Sequence, residues 1–346
     1  MVETKKIQFA SDYQEGAAPE ILARLQETNW EQTAGYGEDG YSESARSRIR
    51  EACQAPEAEI HFLVGGTQTN ATVIDTVLRP YQGVVAAATG HVNVHEAGAI
   101  EYGGHKVLAV PEEDGKLTAK TLETFVKNYW DDANREHMVM PGMVYLSQPT
   151  EMGTLYTLAE LEAIRAVCTA YKLPLFVDGA RLAYALGTPE NDVTLPDLAR
   201  LCDVFYIGGT KCGALFGEAV VFPKPGFVPH FFTMVKQHGA LLAKGRITGL
   251  QFETLFTDGL YEKLGRHGIQ MARKIRSALL EKGYELPYPA PTNQLFLLLS
   301  KQKANELAKE VVLGFGTEWP DGRLLMRICT SWATKEEAVE KLIAIL

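Results

Sequence analysis

The sequence predicts an α/β fold: a large domain with a mostly parallel sheet between layers of helices, followed by a smaller C-terminal α/β domain. Three observations support this prediction. Short apolar runs alternate with helical segments between residues 59 and 222, without the polar alternation of half-exposed strands. Two of these runs end in sharp polar turns that carry Asp178 and Lys211. After about residue 245 the pattern changes to helical segments and two further strands.

Seven runs read as strands of the large sheet, and a helix between the fourth and fifth has its own start signal. Thr157 and Glu160 have the spacing of a capping box, with an apolar helical stripe behind them. The predicted strands are Glu59–Val64, Val84–Thr89, Lys106–Val110, Met143–Ser147, the run 175–178 ending in Asp178, the run 203–208 before Lys211, and Glu218–Phe222.

The remaining elements form the smaller domain. We predict a helix over Leu264–Lys282, strands over Asn293–Leu299 and Leu324–Cys329, and a final helix that Thr334 and Glu337 open as a second capping box. By residue number, 1–30 would be an N-terminal segment that contributes to the functional site and the small domain. Residues 31–244 would be the large domain, and 245–346 the small one.

Composition limits the classes of function. The 346 residues are 46% hydrophobic and 22% charged, with a net charge of −9 and no long basic cluster, so nucleic acid and anionic membranes are not expected partners. The five cysteines show no pairing motif, and the first residues lack an apolar signal core. We therefore expect a reducing, cytoplasmic location.

A glycine-rich turn follows the first strand of the large sheet. In Gly65-Gly66-Thr67-Gln68-Thr69-Asn70, two glycines and two hydroxyl groups stand where a strand turns into a helix predicted to begin near Gln68. Free N–H groups and the helix dipole at such a turn suit a phosphate. The alternative is structural, with the glycines shaping a tight turn and a threonine capping the helix.

Asp178 and Lys211 indicate a cofactor site when they are considered together with this turn. A lysine after Gly208-Gly209-Thr210 can form a Schiff base with a carbonyl group. Asp178 could simply cap the following helix. Alternatively, it could hold a pyridinium nitrogen protonated, which makes pyridoxal phosphate an electron sink. A phosphate cradle, a Schiff-base lysine and an aspartate together predict pyridoxal 5'-phosphate as the cofactor.

The chain resembles the low-specificity threonine aldolases nearly end to end. These belong to the β-eliminating lyase group of fold-type-I pyridoxal-phosphate enzymes. The resemblance is carried by Ser11-Asp12, Tyr36-Gly-Glu-Asp39, Gly66-Thr67-Gln-x-Asn70, His91 five residues before Glu96-Ala-Gly98, Asp178-Gly-Ala-Arg181, Lys211 and Arg327.

The resemblance implies cofactor-binding roles. Lys211 would hold the cofactor covalently, and Asp178 would pair with its ring nitrogen. Gly66 and Thr67 would bind its phosphate. His91 would stack on the ring and assist proton transfer.

The resemblance also implies a substrate site shared between subunits. Ser11, Arg181 and Arg327 would bind the substrate carboxylate, and Arg246 would lie in a basic loop near the cofactor phosphate. Tyr36 would reach the site from a neighbouring subunit, because these enzymes are dimers or tetramers, here expected to be a homotetramer. His91 and His95 have no firm further ligand nearby, so no metal site is expected.

One departure from the family concerns the expected base. Well-known members carry a histidine in a Thr-His-Asn-Gly context after the fourth strand, whereas this chain has Gln148-Pro-Thr-Glu151-Met-Gly153. Glu151 could act as a base on a β-hydroxyl group if burial raised its pKa. It could instead mark a different preference for the substrate side chain.

The predicted reaction is retro-aldol cleavage of a β-hydroxy-α-amino acid, threonine or allo-threonine, to glycine and an aldehyde. Lys211, His91 and Glu151 are the predicted catalytic residues. One alternative is β-elimination from an aromatic or sulfur amino acid on the same scaffold. Another is a non-catalytic amino-acid-binding protein that keeps the fold, against which an intact Lys211 argues.

Overall fold

A computed structural model describes residues 6–346. Within this range the strands are β1 Ile7–Phe9, β2 Glu59–Leu63, β3 Gln82–Ala87, β4 Lys106–Val110, β5 Met140–Ser147, β6 Leu175–Asp178, β7 Val204–Gly208, β8 Glu218–Phe222, β9 Gln294–Leu299, β10 Val311–Glu318 and β11 Leu324–Cys329. The helices are α1 Pro19–Glu27, α2 Gly40–Ala52, α3 Gly66–Val77, α4 His91–Val94, α5 Ala99–Tyr102, α6 Ala119–Asp131, α7 Leu158–Tyr171, α8 Leu182–Gly187, α9 Leu195–Leu201, α10 Phe231–Gln237, α11 Arg246–Leu255, α12 Leu260–Glu281, α13 Lys301–Leu307 and α14 Glu336–Ile345.

The large sheet has seven strands in the order β2-β8-β7-β6-β5-β3-β4. The strands from β7 to β4 run parallel, and β8 is antiparallel to both of its neighbours. Alternate residues of each central strand enter different cores; Val144 packs in one and Tyr145 in the other. Both faces of the sheet are therefore covered, which confirms the predicted fold class.

The strand predictions for the large sheet match the structure closely, and β5 starts earlier than expected, at Met140. The capping box of Thr157 and Glu160 is confirmed at the start of α7. Helix α3 begins at Gly66 rather than near Gln68. Its N-cap is Gly65, and no side chain caps it, so the threonine-cap alternative is wrong.

The second predicted capping box is also wrong. Helix α14 begins at Glu336 after Lys335, without a side-chain cap. The Thr334 hydroxyl instead accepts a hydrogen bond of 2.7 Å from the Ser331 backbone N–H. The hydroxyl therefore stabilises the turn before the helix and is not available to cap the helix itself.

The smaller sheet has four strands in the order β1-β10-β11-β9. β1 pairs in parallel with β10, with Ile7 opposite Val311, whereas β10, β11 and β9 are antiparallel. The N-terminal segment thus joins the C-terminal sheet and then runs to the large sheet. Helix α11 packs against α1 and α2.

All five cysteines are buried and carry free thiols. Among residues 6–346, no helix combines the length and the apolar character needed to cross a bilayer.

Candidate active site

A cavity opens at the carboxyl ends of β5, β6 and β7. Ligand sites of parallel sheets form there because strand ends, loops and helix N-termini meet at that edge. The cavity is lined by Gly66, His91, Ser147, Pro149, Glu151, Asp178, Ala180, Arg181, Tyr206 and Lys211. The fold therefore brings most of the sequence-predicted site residues into one place.

Asp178 ends β6 and is buried among hydrogen-bond donors. Its Oδ2 accepts from Tyr145 Oη at 2.6 Å and from Asn70 Nδ2 at 3.0 Å, and its Oδ1 accepts from the Ala180 N–H at 2.9 Å. Burial opposes ionisation, but attraction to His91 and the Tyr145 hydrogen bond outweigh it and lower the pKa of Asp178. The helix after it, α8, has no side-chain cap, so the capping alternative for Asp178 is wrong.

The start of α3 forms one wall of the cavity. Gly66 faces Tyr206, whose hydroxyl lies 3.2 Å from the point where a Cβ at this glycine would stand. That hydroxyl is buried and has no partner in good hydrogen-bond geometry among residues 6–346, although it lies near enough to Asp178 to help lower the pKa of that carboxyl group. Thr67 lies exposed in the first turn. A helix start without a side-chain cap, next to a spare hydroxyl donor, suits an anion.

Lys211 lies in the turn after β7. Its backbone carbonyl accepts a hydrogen bond of 2.7 Å from Tyr184 Oη. Within the described residues its Nζ atom makes no ion pair, although it lines the same cavity as Asp178. The hydrogen bonds of Asp178 go to other groups. Asp178 and Lys211 are therefore separate functional groups and do not form an ion pair with each other.

Behind this turn lies Glu218, a buried carboxyl group. Its Oε1 accepts from Thr210 Oγ1 at 2.8 Å, and its Oε2 has no partner within the described chain. Burial raises the pKa of Glu218 to about 8, although the Thr210 hydrogen bond and the Lys211 charge oppose the rise. An acid with so high a pKa is protonated at neutral pH.

His91 begins α4 and is oriented by a buried carboxylate. Its Nδ1 lies 2.7 Å from Oε1 of Glu96, whose side chain is 0% exposed. The same oxygen accepts from Asn70 Nδ2 at 2.7 Å. The carboxylate favours a hydrogen on Nδ1 of the imidazole, which leaves Nε2 free to exchange a proton.

Glu151 stands close to His91. Its Oε1 accepts hydrogen bonds from Ser147 Oγ at 2.6 Å and from the His91 backbone N–H at 2.9 Å. Burial raises the pKa of Glu151 despite these two donors, as its predicted role as a base requires.

Arg181 is held by an acid from the N-terminal segment. Its Nε and Nη2 atoms donate to Oδ2 and Oδ1 of Asp12 at 2.7 and 3.1 Å. Asn293 Nδ2 donates to the same Oδ2 at 2.9 Å. Asp12 is fully buried, and the Arg181 charge lowers its pKa although burial acts to raise it. This pairing engages Nε and Nη2 of an arginine that also lines the cavity.

Five predicted residues do not line this cavity. Arg327 Nη1 and Nη2 donate to Gln294 Oε1 at 2.9 Å and Ala10 O at 2.8 Å, one residue before Ser11. Arg246 Nη2 donates to Thr28 O at 2.8 Å. Tyr36, 44% exposed, lies 4.6 Å from the Lys236 ammonium group, measured from its ring centre. The five residues that lie outside the cavity lining are Ser11, Tyr36, Thr67, Arg246 and Arg327.

Sequence reasoning missed several polar partners at the site. Tyr145 and Tyr206 sit inside apolar strands and read as core residues. Glu96 was part of a matched motif but received no role. One signal was available for Ser147: it follows Tyr145 by two residues, which places both side chains on one face of a strand.

Comparison with known proteins agrees with this geometry. The family model described as "Beta-eliminating lyase" matches residues 8–302. A low-specificity L-threonine aldolase of a Pseudomonas species is 31% identical, over 97% of this chain and 96% of that protein. The low-specificity L-threonine aldolase of Saccharomyces cerevisiae is 26% identical, over 97% of this chain and 86% of that protein.

Solved structures show the same relation. A threonine aldolase of Leishmania major superposes with a TM-score of 0.95 at 43% identity, covering 98% of both chains. An aspartate aminotransferase of Thermus thermophilus, at 14% identity, shares the fold with a TM-score of 0.73 over 98% of this chain and 90% of that one. These matches, which extend over nearly the whole chain, show that this protein belongs to the beta-eliminating lyase family.

Proposed function

We propose that the protein is a pyridoxal-phosphate-dependent aldolase that cleaves a β-hydroxy-α-amino acid, threonine or allo-threonine, into glycine and an aldehyde. The observation that carries the proposal is the placement of Asp178, with its lowered pKa, and Lys211 on one cavity. Relatives named as threonine aldolases, which match nearly the whole chain, support the choice of substrate.

The residues present fit this cofactor. Asp178 offers a buried carboxylate for a protonated ring nitrogen, and Lys211 offers an amine without an ion-pair partner among the described residues. Gly66, Thr67 and the unpartnered Tyr206 hydroxyl offer donors for a phosphate. When bound, pyridoxal phosphate supplies an electron sink that stabilises negative charge on the carbon next to the substrate amine.

The side chains around the cavity would orient the substrate and move its protons. Arg181 presents a guanidinium edge to the substrate carboxylate, a bidentate task that suits arginine. Ser11 and Arg327, beside the same N-terminal segment, would complete this carboxylate site. Glu151 would accept the proton of the β-hydroxyl group through Oε2, because Oε1 is already hydrogen-bonded. His91 would pack over the ring and exchange a proton through Nε2.

Product analysis tests the proposed reaction. Purified protein with its cofactor should release glycine and acetaldehyde from threonine or allo-threonine. Release of no aldehyde from these substrates or from phenylserine would overturn the proposal. Borohydride reduction should fix the cofactor to the wild-type protein and not to Lys211→Ala.

The second candidate is β-elimination, which the description of the matching family model favours. It gives pyruvate and ammonia rather than glycine and an aldehyde, so the same product analysis separates the two reactions. A protein that only binds amino acids would bind them without forming either set of products.

The assembly and location are part of the proposal. A homotetramer, or a dimer as its smaller unit, would bring Tyr36 and the Arg246 loop of one subunit to the cavity of the next. Tyr36 is exposed and lies apart from its own cavity, and Trp30 nearby in sequence is 91% exposed, as expected for residues that meet another subunit. Five buried free thiols suit the reducing cytoplasm.

A further inference from the structure

A chain of hydrogen-bonding groups connects Glu151 to Asp178. Tyr145 and Ser147 lie two residues apart on β5 and face the same side, and Ser147 pairs in register with Asp178. Ser147 Oγ lies 2.6 Å from Glu151 Oε1 and 3.2 Å from Tyr145 Oη. Tyr145 Oη lies 2.6 Å from Asp178 Oδ2. The expected base and the carboxylate at the cofactor's ring nitrogen are thus joined by two hydroxyl groups.

The number of hydroxyl hydrogens limits the directions that these hydrogen bonds can take. Tyr145 gives its one hydroxyl hydrogen to the carboxylate of Asp178, so its oxygen can only accept. Ser147 also has one hydroxyl hydrogen and two neighbours, Glu151 and Tyr145, that could accept it. An ionised Glu151 is the stronger acceptor and lies closer. A protonated Glu151 is a weaker hydrogen-bond acceptor. The Ser147 hydroxyl group can then rotate and donate to Tyr145 instead.

We propose that Ser147 is a positioning residue that couples the proton on Glu151 to Asp178, by turning its hydroxyl group between Glu151 and Tyr145. The inference rests on the proposed function, in which Glu151 takes the proton that the substrate hydroxyl loses. No bond between heavy atoms changes along the chain. The proton from the substrate stays on Glu151, and Ser147 only rotates its O–H bond.

Burial makes this coupling effective. Tyr145, Ser147 and Asp178 are 1%, 9% and 4% exposed, so little bulk water competes for their hydrogen bonds. Burial first, and then the nearby carboxylates, raise the pKa of Tyr145 well above its ordinary value, so its hydroxyl keeps its hydrogen. When Ser147 donates to Tyr145, the tyrosine becomes a better donor to Asp178. The cofactor's aspartate therefore responds to the step at the base.

The other ionisable groups around Glu151 do not offer the same link. His91 reaches Glu151 through its backbone N–H and not through its ring. Tyr156 Oη accepts from the Leu117 N–H, on the far side. The remaining ionisable side chains that line the cavity are Asp178, Arg181, Tyr206 and Lys211.

A double-mutant cycle on the cofactor-loaded protein tests the coupling. The readout is the pKa of the Glu151 carboxyl group, followed by ¹³C NMR of carboxyl-labelled glutamate and assigned with Glu151→Gln. Ser147→Ala should raise this pKa by about one unit, because the charged form loses a donor. Tyr145→Phe should lower it, because the protonated form loses the acceptor of the Ser147 hydrogen.

The decisive comparison is Tyr145→Phe in the two backgrounds. Tyr145→Phe should lower the pKa of Glu151 when Ser147 is intact, and it should have no such effect in the Ser147→Ala background. The effect should return in the Ser147→Thr background, because threonine keeps a hydroxyl group. An equal shift in both backgrounds would show an effect through space and overturn the coupling, as would no shift in either. The pKa is measured independently of products, so absence of glycine release would overturn the proposed reaction and leave this cycle readable.

Discussion

Asp12 and Arg181 form a buried, two-pronged ion pair although 169 residues separate them in the chain. The pair joins the N-terminal segment to the end of the strand that carries Asp178. A charged pair in such a place is sensitive to the loss of either partner, because the remaining charge is left buried and unpaired.

Asp12→Asn should therefore destabilise the fold by about 3–5 kcal/mol and raise the KM for the amino acid, since Arg181 loses its orientation. Denaturant unfolding and steady-state kinetics measure the two effects. The matched control is Glu262→Gln, which removes the exposed partner of Arg266 one helical turn away and should cost less than about 0.5 kcal/mol. Equal losses in the two variants would contradict the buried role of Asp12.

Glu218 predicts an unusual dependence of stability on pH. Its pKa is about 8 in the folded protein and near 4.5 in the unfolded chain, so between these values the folded state binds one more proton. Its contribution to stability is present at pH 4.5 and is lost as the pH rises through 8. Glu218→Gln should remove this loss and gain on the order of a few kcal/mol over wild type at pH 9.

Urea unfolding at pH 5, 7 and 9 measures this difference for Glu218→Gln. Glu337→Gln, on the exposed surface of α14, controls for the loss of one carboxyl group. A constant difference between Glu218→Gln and wild type at all three pH values would rule out a protonated Glu218.

Gly179 allows β6 and β7 to approach each other at the site. A Cβ at this position would stand 2.0 Å from the backbone oxygen of Tyr206. Gly179→Ala should therefore force the strand ends apart and cost at least about 2 kcal/mol, and it should weaken cofactor binding through Asp178. Gly16→Ala is the control, since its Cβ would meet nothing within 4 Å. Thermal unfolding that is unchanged in Gly179→Ala would contradict the close packing.

Loss of the Tyr206 hydroxyl group should affect cofactor binding more than the stability of the cofactor-free protein. This buried hydroxyl costs desolvation and has no partner in good hydrogen-bond geometry within the described chain, but it helps to keep Asp178 ionised, so Tyr206→Phe should change the stability of the cofactor-free protein by less than about 1 kcal/mol. If the hydroxyl donates to the cofactor phosphate, the same variant should bind pyridoxal phosphate about tenfold more weakly. Fluorescence titration with the cofactor measures the second effect, and unchanged affinity would exclude the contact.

The large sheet could be predicted because each buried strand is a short apolar run with a clear turn after it. The site emerged for the same reason, since Asp178 and Lys211 are the polar residues that end such runs. β1 and β10 were missed because three residues, Ile7–Phe9, are too few to show a pattern, and the glycines of β10 weaken its strand signal. Such strands form through pairing with each other rather than through local preference.

The partners of the site residues were harder to predict. Asp12 meets Arg181, and Glu96 meets His91, only after the chain has folded, and no spacing encodes the first of these contacts. Thr334 shows a different kind of error. The capping-box motif is present in the sequence, but the Thr334 hydroxyl group accepts a hydrogen bond from the Ser331 N–H in the preceding turn and does not cap the helix. The domain boundaries near residues 30 and 244 stay predictions.

The parallel pairing of β1 with β10 sets an order on events during synthesis. Ile7 leaves the ribosome about 300 residues before its partner Val311. Until then the first strand has no sheet to join, and Asp12 is not fixed beside Arg181. The large sheet can form earlier on its own local signals, but Arg181 receives its counter-ion only after β10 has been synthesised. A ribosome stalled before residue 311 would therefore hold a chain with a folded sheet and an unfinished site.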